Sequence, residues 1–212
     1  ALRLSTAEHA HLFYLAGGTP PGPGRIRSAV RPSVLRLLDR FTDLPALLLD
    51  AKTDVLAWNA LAVALLGDFS ALPPEQRNVA WLRFAGPGSR VATEDDPAER
   101  ERLDRALVSD LRAAAGRYPD DPGLHRLVGD LRARSADFDR LWGLHELAER
   151  HSDRKRIRHP DLGVLELDCD TLLVHGDDQV LLVYSAAPGS REAEVLSLLR
   201  VVGLQDLATR GH

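Results

Sequence analysis

Phe138, Leu141, Trp142 and His145 recur at spacings of three, four and seven, which puts all four side chains on one stripe of a helix. A histidine ending an apolar stripe has two roles open to it. It can be a core histidine whose ring bonds a backbone carbonyl, because buried polar groups are generally satisfied. It can also be the polar end of a pocket, meeting a carboxylate and changing charge near neutral pH. Trp58-Asn59 poses a similar choice. Either Trp58 is a core ring and Asn59 a helix cap, or Trp58 is a wall of a ligand cavity with Asn59 beside it, offering apolar area and a polar N–H together. In the run Arg154-Lys155-Arg156-Ile157-Arg158-His159, the three arginines share one strand face and Lys155, Ile157 and His159 the other. The arginines blunt an edge strand, steer an acidic ligand, or face a neighbouring module. His159 is held extended by Pro160, so its side chain has a defined direction and is a second candidate for an acidic head group.

Other chemistries find no support. His145, His151 and His159, even with Asp161 and Asp168 nearby, match no metal-ligand spacing such as H-E-x-x-H. Cys169 lies in a strand with Leu165 and Leu167 on its face and reads as a small buried hydrophobe. The segment Gly17 to Gly24 lacks the Lys and Ser/Thr of a phosphate loop and follows no strand. No metal, no cofactor and no enzymatic activity are expected, with a hydrolase kept as the weakest rival.

The elements that must position these residues can be read from pattern. Ser5 and Glu8 form a capping-box pattern for a helix over Leu4 to Ala16. The stretch GGTPPGPGR from Gly17 to Arg25 continues neither helix nor strand and reads as a linker. A helix follows from Pro32 to Phe41, then two strands, Leu47 to Leu49 and Val55 to Trp58, joined as a hairpin. Asn59 caps a compact helix from Ala60 to Leu66, ended by Gly67. Four helices are predicted next: Pro74 to Phe84, Asp96-Pro97 to Gly116, one opened by Asp121-Pro122, and Ser135 to Glu149. Strands over Lys155 to His159, Val164 to Val174 and Gln179 to Ser185 precede a last helix from Arg191 to Val201. Val180 to Tyr184 is apolar without alternation, as a central strand covered on both faces should be. The reading is α+β: a five-stranded antiparallel sheet in the order 2-1-5-4-3, with a long helical insertion packed on one face.

Composition narrows the function classes. The 212 residues are 44% apolar, enough for a sizeable core, and no run approaches the ~18–20 apolar residues of a membrane span. No membrane partner is expected. A single Cys fits a reducing cytoplasm. A net charge of −4 disfavours a chain given over wholly to gripping nucleic acid. Met is absent, even at residue 1, which leads to the expectation that this is the back part of a longer protein.

Several ordered blocks carry a resemblance. PALLLDAKTDVLAWN (Pro45 to Asn59), Gly67-Asp68-Phe69, Arg77-Asn78, GRYPDDP (Gly116 to Pro122), FDRLWGLH (Phe138 to His145), Arg158-His159-Pro160 with Gly163, and APGS (Ala187 to Ser190) are similar to the ligand-binding domain of MmyB-like transcription regulators. The likeness spans roughly Arg31 to Leu199, and it departs from the family at Arg83 to Asp96, where that family has an aromatic and Pro-rich stretch. The resemblance implies a PAS-like sensor fold, a fatty-acid-like ligand and a preceding phage-repressor-type helix-turn-helix domain. The opening ALRLSTAEHAHLFYLAGG resembles the last helix of such a module. The organisation that follows is a remnant helix over 1–16, a linker over 17–30, the ligand-binding domain over 31–202 and a tail over 203–212. On this reading Trp58, Asn59, Phe69, Trp81, Phe84, Phe138 and Trp142 line a cavity between sheet and helices, and His145 and His159 supply its polar end. DNA contact belongs to the module before the linker, and homodimerisation is expected because such modules read two half-sites. The rival from another class is a protein-interaction module with a fully packed core and no small-molecule ligand.

Overall fold

A computed structural model describes residue 15 and residues 24–86, 90, 96–145 and 153–210. The expected helix over Leu4 to Ala16 (Leu15 apart), most of the linker, much of the departing segment Arg83 to Asp96, and His151 lie outside the described residues. Five strands form one antiparallel sheet: β1 (Ala46–Leu49), β2 (Val55–Trp58), β3 (Asp153–His159), β4 (Gly163–Val174) and β5 (Gln179–Ser185). Their order is β2-β1-β5-β4-β3, as the sequence predicts. The pairing of β5 with both β1 and β4 explains its unbroken apolar run, since Leu181 to Tyr184 are buried on whichever face they point to.

The two faces of the sheet are covered differently. On one face, Leu47, Leu49, Leu182, Tyr184, Leu165, Leu167 and Ile157 pack against two helices, α2 (Ala60–Leu66) and α7 (Arg191–Arg210). On the other, Ala46, Leu48, Leu181 and Val183 are covered by Val34 and Leu38 of α1 (Pro32–Leu38). The β3–β4 end of that second face is charged and carries the ion pairs Arg154–Asp168 (3.5 Å) and Arg156–Glu166 (4.0 Å). The basic run on β3 is therefore a solvated strand face at a sheet edge, matched by acids on β4.

Asn59 holds the passage from β2 into α2. Its Oδ1 accepts from Ala46 N (3.1 Å) and Ala62 N (2.9 Å), and its Nδ2 donates to the carbonyls of Phe41 (2.8 Å) and Leu44 (2.7 Å). One side chain thus caps α2, anchors the start of β1 and fixes the loop leaving α1.

The remaining helices are α3 (Val79–Phe84), α4 (Pro97–Arg117), α5 (Pro122–Arg134) and α6 (Ala136–Gly143). Asp96, Asp121 and Ser135 cap the last three, each accepting from a backbone N–H of the first turn. Besides shifts of one to three residues at the end of α1 and the starts of β1, β3 and β4, three boundaries differ from the sequence reading. The helix expected over Pro74 to Phe84 is a short 3-10 turn, Pro74–Gln76, followed by α3. Arg77 and Asn78 are drawn out between them, because Val55 N donates to Arg77 O (2.7 Å) and Val79 N to Thr53 O (3.0 Å). The helix expected to run from Ser135 to Glu149 ends at Gly143, and His145 beyond it has φ +55°. The last helix runs past Val201 to Arg210.

Replacing Asn59 by Ala leaves Ala46 N, Phe41 O and Leu44 O without this partner and removes the cap of α2. It should lower unfolding stability in urea by roughly 2–4 kcal/mol. Asn59→Asp keeps the cap but sets a carboxylate oxygen against the carbonyls of Phe41 and Leu44, and at neutral pH it should lose at least as much as Asn59→Ala. A loss below about 0.5 kcal/mol for the alanine variant, the range of an ordinary surface change, would show that this side chain is not the anchor.

Candidate functional site

The six aromatic rings singled out in the sequence divide between two cores. Trp58 and Phe69 are neighbours in the sheet core, with ring centroids 5.4 Å apart. Trp81, Phe84, Phe138 and Trp142 belong to a second core, built by α4, α5 and α6 around Val108, Leu111, Ala114, Leu124 and Leu131. Helix α3 is the wall between the two. Its Val79 and Leu82 pack on the sheet core, and its Ala80, Trp81 and Phe84 pack on the helical one.

Within the helical core the rings form a row. Phe138 and Trp142, one turn apart on α6, stack with centroids 5.7 Å apart and planes at 16°. Phe84 meets the fully buried Phe138 edge-on at 5.1 Å and 74°. At the outer end of the row the Arg112 guanidinium lies over the Trp142 ring, 4.5 Å from its centroid. The Arg112 Nη1 is 2.9 Å from His145 Nδ1, and Nη2 donates to the Trp142 carbonyl. His145 therefore leaves the α6 stripe and sits exposed in the turn beyond it, because the helix stops at Gly143.

The other polar candidates are already engaged. His159 is 7% exposed, with Nε2 3.1 Å from Ala64 O and Nδ1 3.2 Å from Asp161 N. Since Asp161 N–H can only donate, Nδ1 accepts and Nε2–H donates, a tautomer assigned from the bonding network. His159 thus ties β3 to α2 as a satisfied core histidine. The four hydrogen bonds of Asn59 likewise use all its capacity within the protein. Cys169 is 6% exposed in the sheet core. Among the described residues no group of three or more His, Cys, Asp or Glu could hold a metal ion.

Sequence reasoning missed two features. One is Arg112, which looks like an ordinary helix-surface arginine until α6 folds back over it. The other is a buried charged junction in the β1–β2 turn, read from the sequence only as a turn. Asp50, 1% exposed, accepts from Lys52 N (3.0 Å), Asp54 N (2.9 Å) and Lys52 Nζ (2.6 Å), and Lys52 also pairs with Asp54. Asn78, fully buried, donates to Lys52 O (2.8 Å) and Asp54 Oδ1 (2.7 Å) and caps α3 by accepting from Trp81 N (2.9 Å). The junction therefore fastens the sheet to the wall of the helical core. Beside it, Asp121 caps α5 through Leu124 N (2.7 Å) and accepts from Ile26 N (2.9 Å), the start of the segment leading into α1.

Burial and the neighbouring Asp54 push the Asp50 carboxyl up to about 6, although Lys52 opposes them. Burial works to lower Lys52, but the Asp50 and Asp54 carboxylates raise it overall, so it stays charged. Burial would raise Asp121, and the N–H donors of Ile26 and Leu124 bring it below its ordinary value. Because the folded-state value of Asp50 is raised, its stabilising contribution is complete below the ordinary 3.8 and is lost as pH rises through about 6. Asp50→Asn should therefore gain on the wild type by about 2 kcal/mol between about pH 4 and about pH 7, measured as unfolding free energy in urea. An equal difference at both pH values would mean that Asp50 does not titrate in this window.

No curated protein matches the chain. The family model described as MmyB-like transcription regulator ligand binding domain matches residues 30–199.

Proposed function

The chain belongs to the MmyB-like transcription regulator ligand-binding domain family, and from that membership we propose that it senses an elongated, apolar, fatty-acid-like molecule and modulates DNA binding accordingly. The ligand lies along the aromatic row of the helical core, against Trp81, Phe84, Phe138 and Trp142. The observation that carries this reading is the row itself: stacked rings run from a half-buried guanidinium to a fully buried phenylalanine, in a core that is separate from the sheet's. Small-molecule sites have this make-up, mostly apolar and aromatic with a few placed polar groups. A separate core can also rearrange around a ligand while the sheet core stays packed. On this reading Trp58 and Phe69 support the sheet side of α3 and do not touch the ligand, and His159 and Asn59 are structural.

The signal travels through the segment that begins at Ile26. Its side chain packs on the helical core, and its backbone bonds Asp121. The Gln179 amide on β5 donates to the carbonyls of Arg27 and Ala29. The segment thus joins the helical core to the sheet, and it leads from the helix-turn-helix module proposed to lie before it. That module works as a homodimer in the cytoplasm. Ligand binding shifts the balance between two arrangements by no more than its differential affinity for them. A second reading, an interaction module with a packed core, draws on the complete burial of Phe138, Leu111, Leu124 and Leu131.

One experiment separates the two. The purified protein is extracted with organic solvent for mass spectrometry, then titrated with medium-chain fatty acids while tryptophan fluorescence and Tm are followed. The sensor reading expects a co-purified acid, or a Tm rise of roughly 5–10 °C at about a hundred times Kd. No co-purified mass, with Tm and fluorescence unmoved, leaves the interaction module standing.

A further inference from the structure

We propose that Arg112 is the anion clamp of this site and makes it select an elongated apolar ligand ending in a carboxylate over a neutral ligand of the same shape. The proposal rests on the reading of the aromatic row as the ligand site. It starts from the partners of the arginines of the helical layer, several of which meet acids. Arg83 pairs with Asp104 (2.6 Å), Arg105 with Glu101 (3.0 Å), Arg117 with Asp178 (2.9 Å), Arg132 with Asp139 (2.6 Å) and Arg140 with Glu101 (2.7 Å). Arg112 has no carboxylate partner among the described residues. What it has is neutral: the Trp142 carbonyl, the Trp142 ring face and His145 Nδ1. Its Nε is buried and meets no hydrogen-bond acceptor among the described residues.

A guanidinium partly removed from water with only neutral partners is poorly compensated. A buried N–H donor left over in the same group is a specific unmet demand. One carboxylate answers both, because its two oxygens accept from Nε–H and the Nη2 N–H on the same edge, the fork that Arg83 presents to Asp104. His145 Nδ1 lies against Nη1, on the edge of the guanidinium away from Nε. It is exposed in the turn beyond α6 and does not occupy the Nε edge. The direction of the site agrees. The clamp stands at the outer end of the row, and Trp142, Phe138 and Phe84 lead inward from it. A head group held there keeps its charge near solvent while the hydrocarbon chain enters the apolar interior.

The test compares dodecanoic acid with dodecanol, both at concentrations where they remain monomeric, on wild type, Arg112→Gln, Arg112→Lys and His145→Ala, by tryptophan fluorescence titration. Wild type should bind the acid about tenfold more tightly than the alcohol, from the charge-assisted pair. Arg112→Gln should abolish that preference and leave alcohol binding within about threefold. Arg112→Lys should keep part of the preference, because it restores the charge without the fork. His145→Ala should bind the acid at least as well as wild type does. Equal binding of acid and alcohol by wild type overturns the clamp while leaving the site intact, and so does a preference that survives Arg112→Gln. Failure of both probes to bind wild type overturns the site itself. Should Arg112→Gln not fold, the wild-type comparison and Arg112→Lys still decide the matter, a full acid preference in the lysine variant overturning the forked clamp.

Discussion

The fold turns on the side chain of Asn59, a buried amide whose two donors and two acceptor positions are all taken by backbone groups from three different segments. Each of those backbone groups would otherwise face the penalty of burial without a partner. The amide sits where the chain leaves β2 for α2, so it decides which face of the sheet α2 covers. The same amide holds the loop from α1, which covers the opposite face. Two layers on a double-faced sheet are thereby referred to one point. The central strand β5 can then be apolar on both sides, because both sides have a cover.

The helical insertion depends on this frame through a different kind of contact. Its core is apolar, and beside the apolar contacts of Ala51, Val79 and Leu82 its attachment to the sheet is charged: Asp50, Lys52 and Asp54, with Asn78 closing the group. Buried charges contribute little net stability relative to apolar packing, but each is strongly tied to its partners' positions. The attachment is thus directional, and it sets α3 as a wall with one face to each core. The aromatic row is kept apart from Trp58 and Phe69 by that wall.

Much of this was legible along the chain. The unbroken Val180 to Tyr184 run points to β5 as central, and with the hairpin turns it favours the order β2-β1-β5-β4-β3 that the sheet has, though the choice of β1 over β2 as its neighbour is made by packing. Caps at Asn59, Asp96, Asp121 and Ser135 mark four helix starts, because a cap acts on its own first turn. The pairing of Phe138 with Trp142 follows from spacing alone. Other features were not legible. Nothing local at Arg77-Asn78 says that a helix must break there; the break comes from hydrogen bonds to Thr53 and Val55, more than twenty residues earlier. The periodic stripe from Phe138 continues through His145, yet the helix stops short of it.

The sequence by itself determined which residues are apolar, at what period they recur and where helices begin, because these depend on neighbours within a turn or a hairpin. Family membership rides on the same local blocks. Only the tertiary structure decided how the rings are shared out, which histidine is closed and which is open, and what Arg112 meets. Those outcomes depend on what arrives from elsewhere in the chain. Ala64 O reaches His159 from α2, and Trp142 and His145 reach Arg112 from beyond α5. Hydrogen bonding and charge compensation act over a few ångströms in space, whatever the separation in sequence. The partners of a polar group are therefore set by packing, and in this protein the packing places Arg112 at the end of an aromatic row.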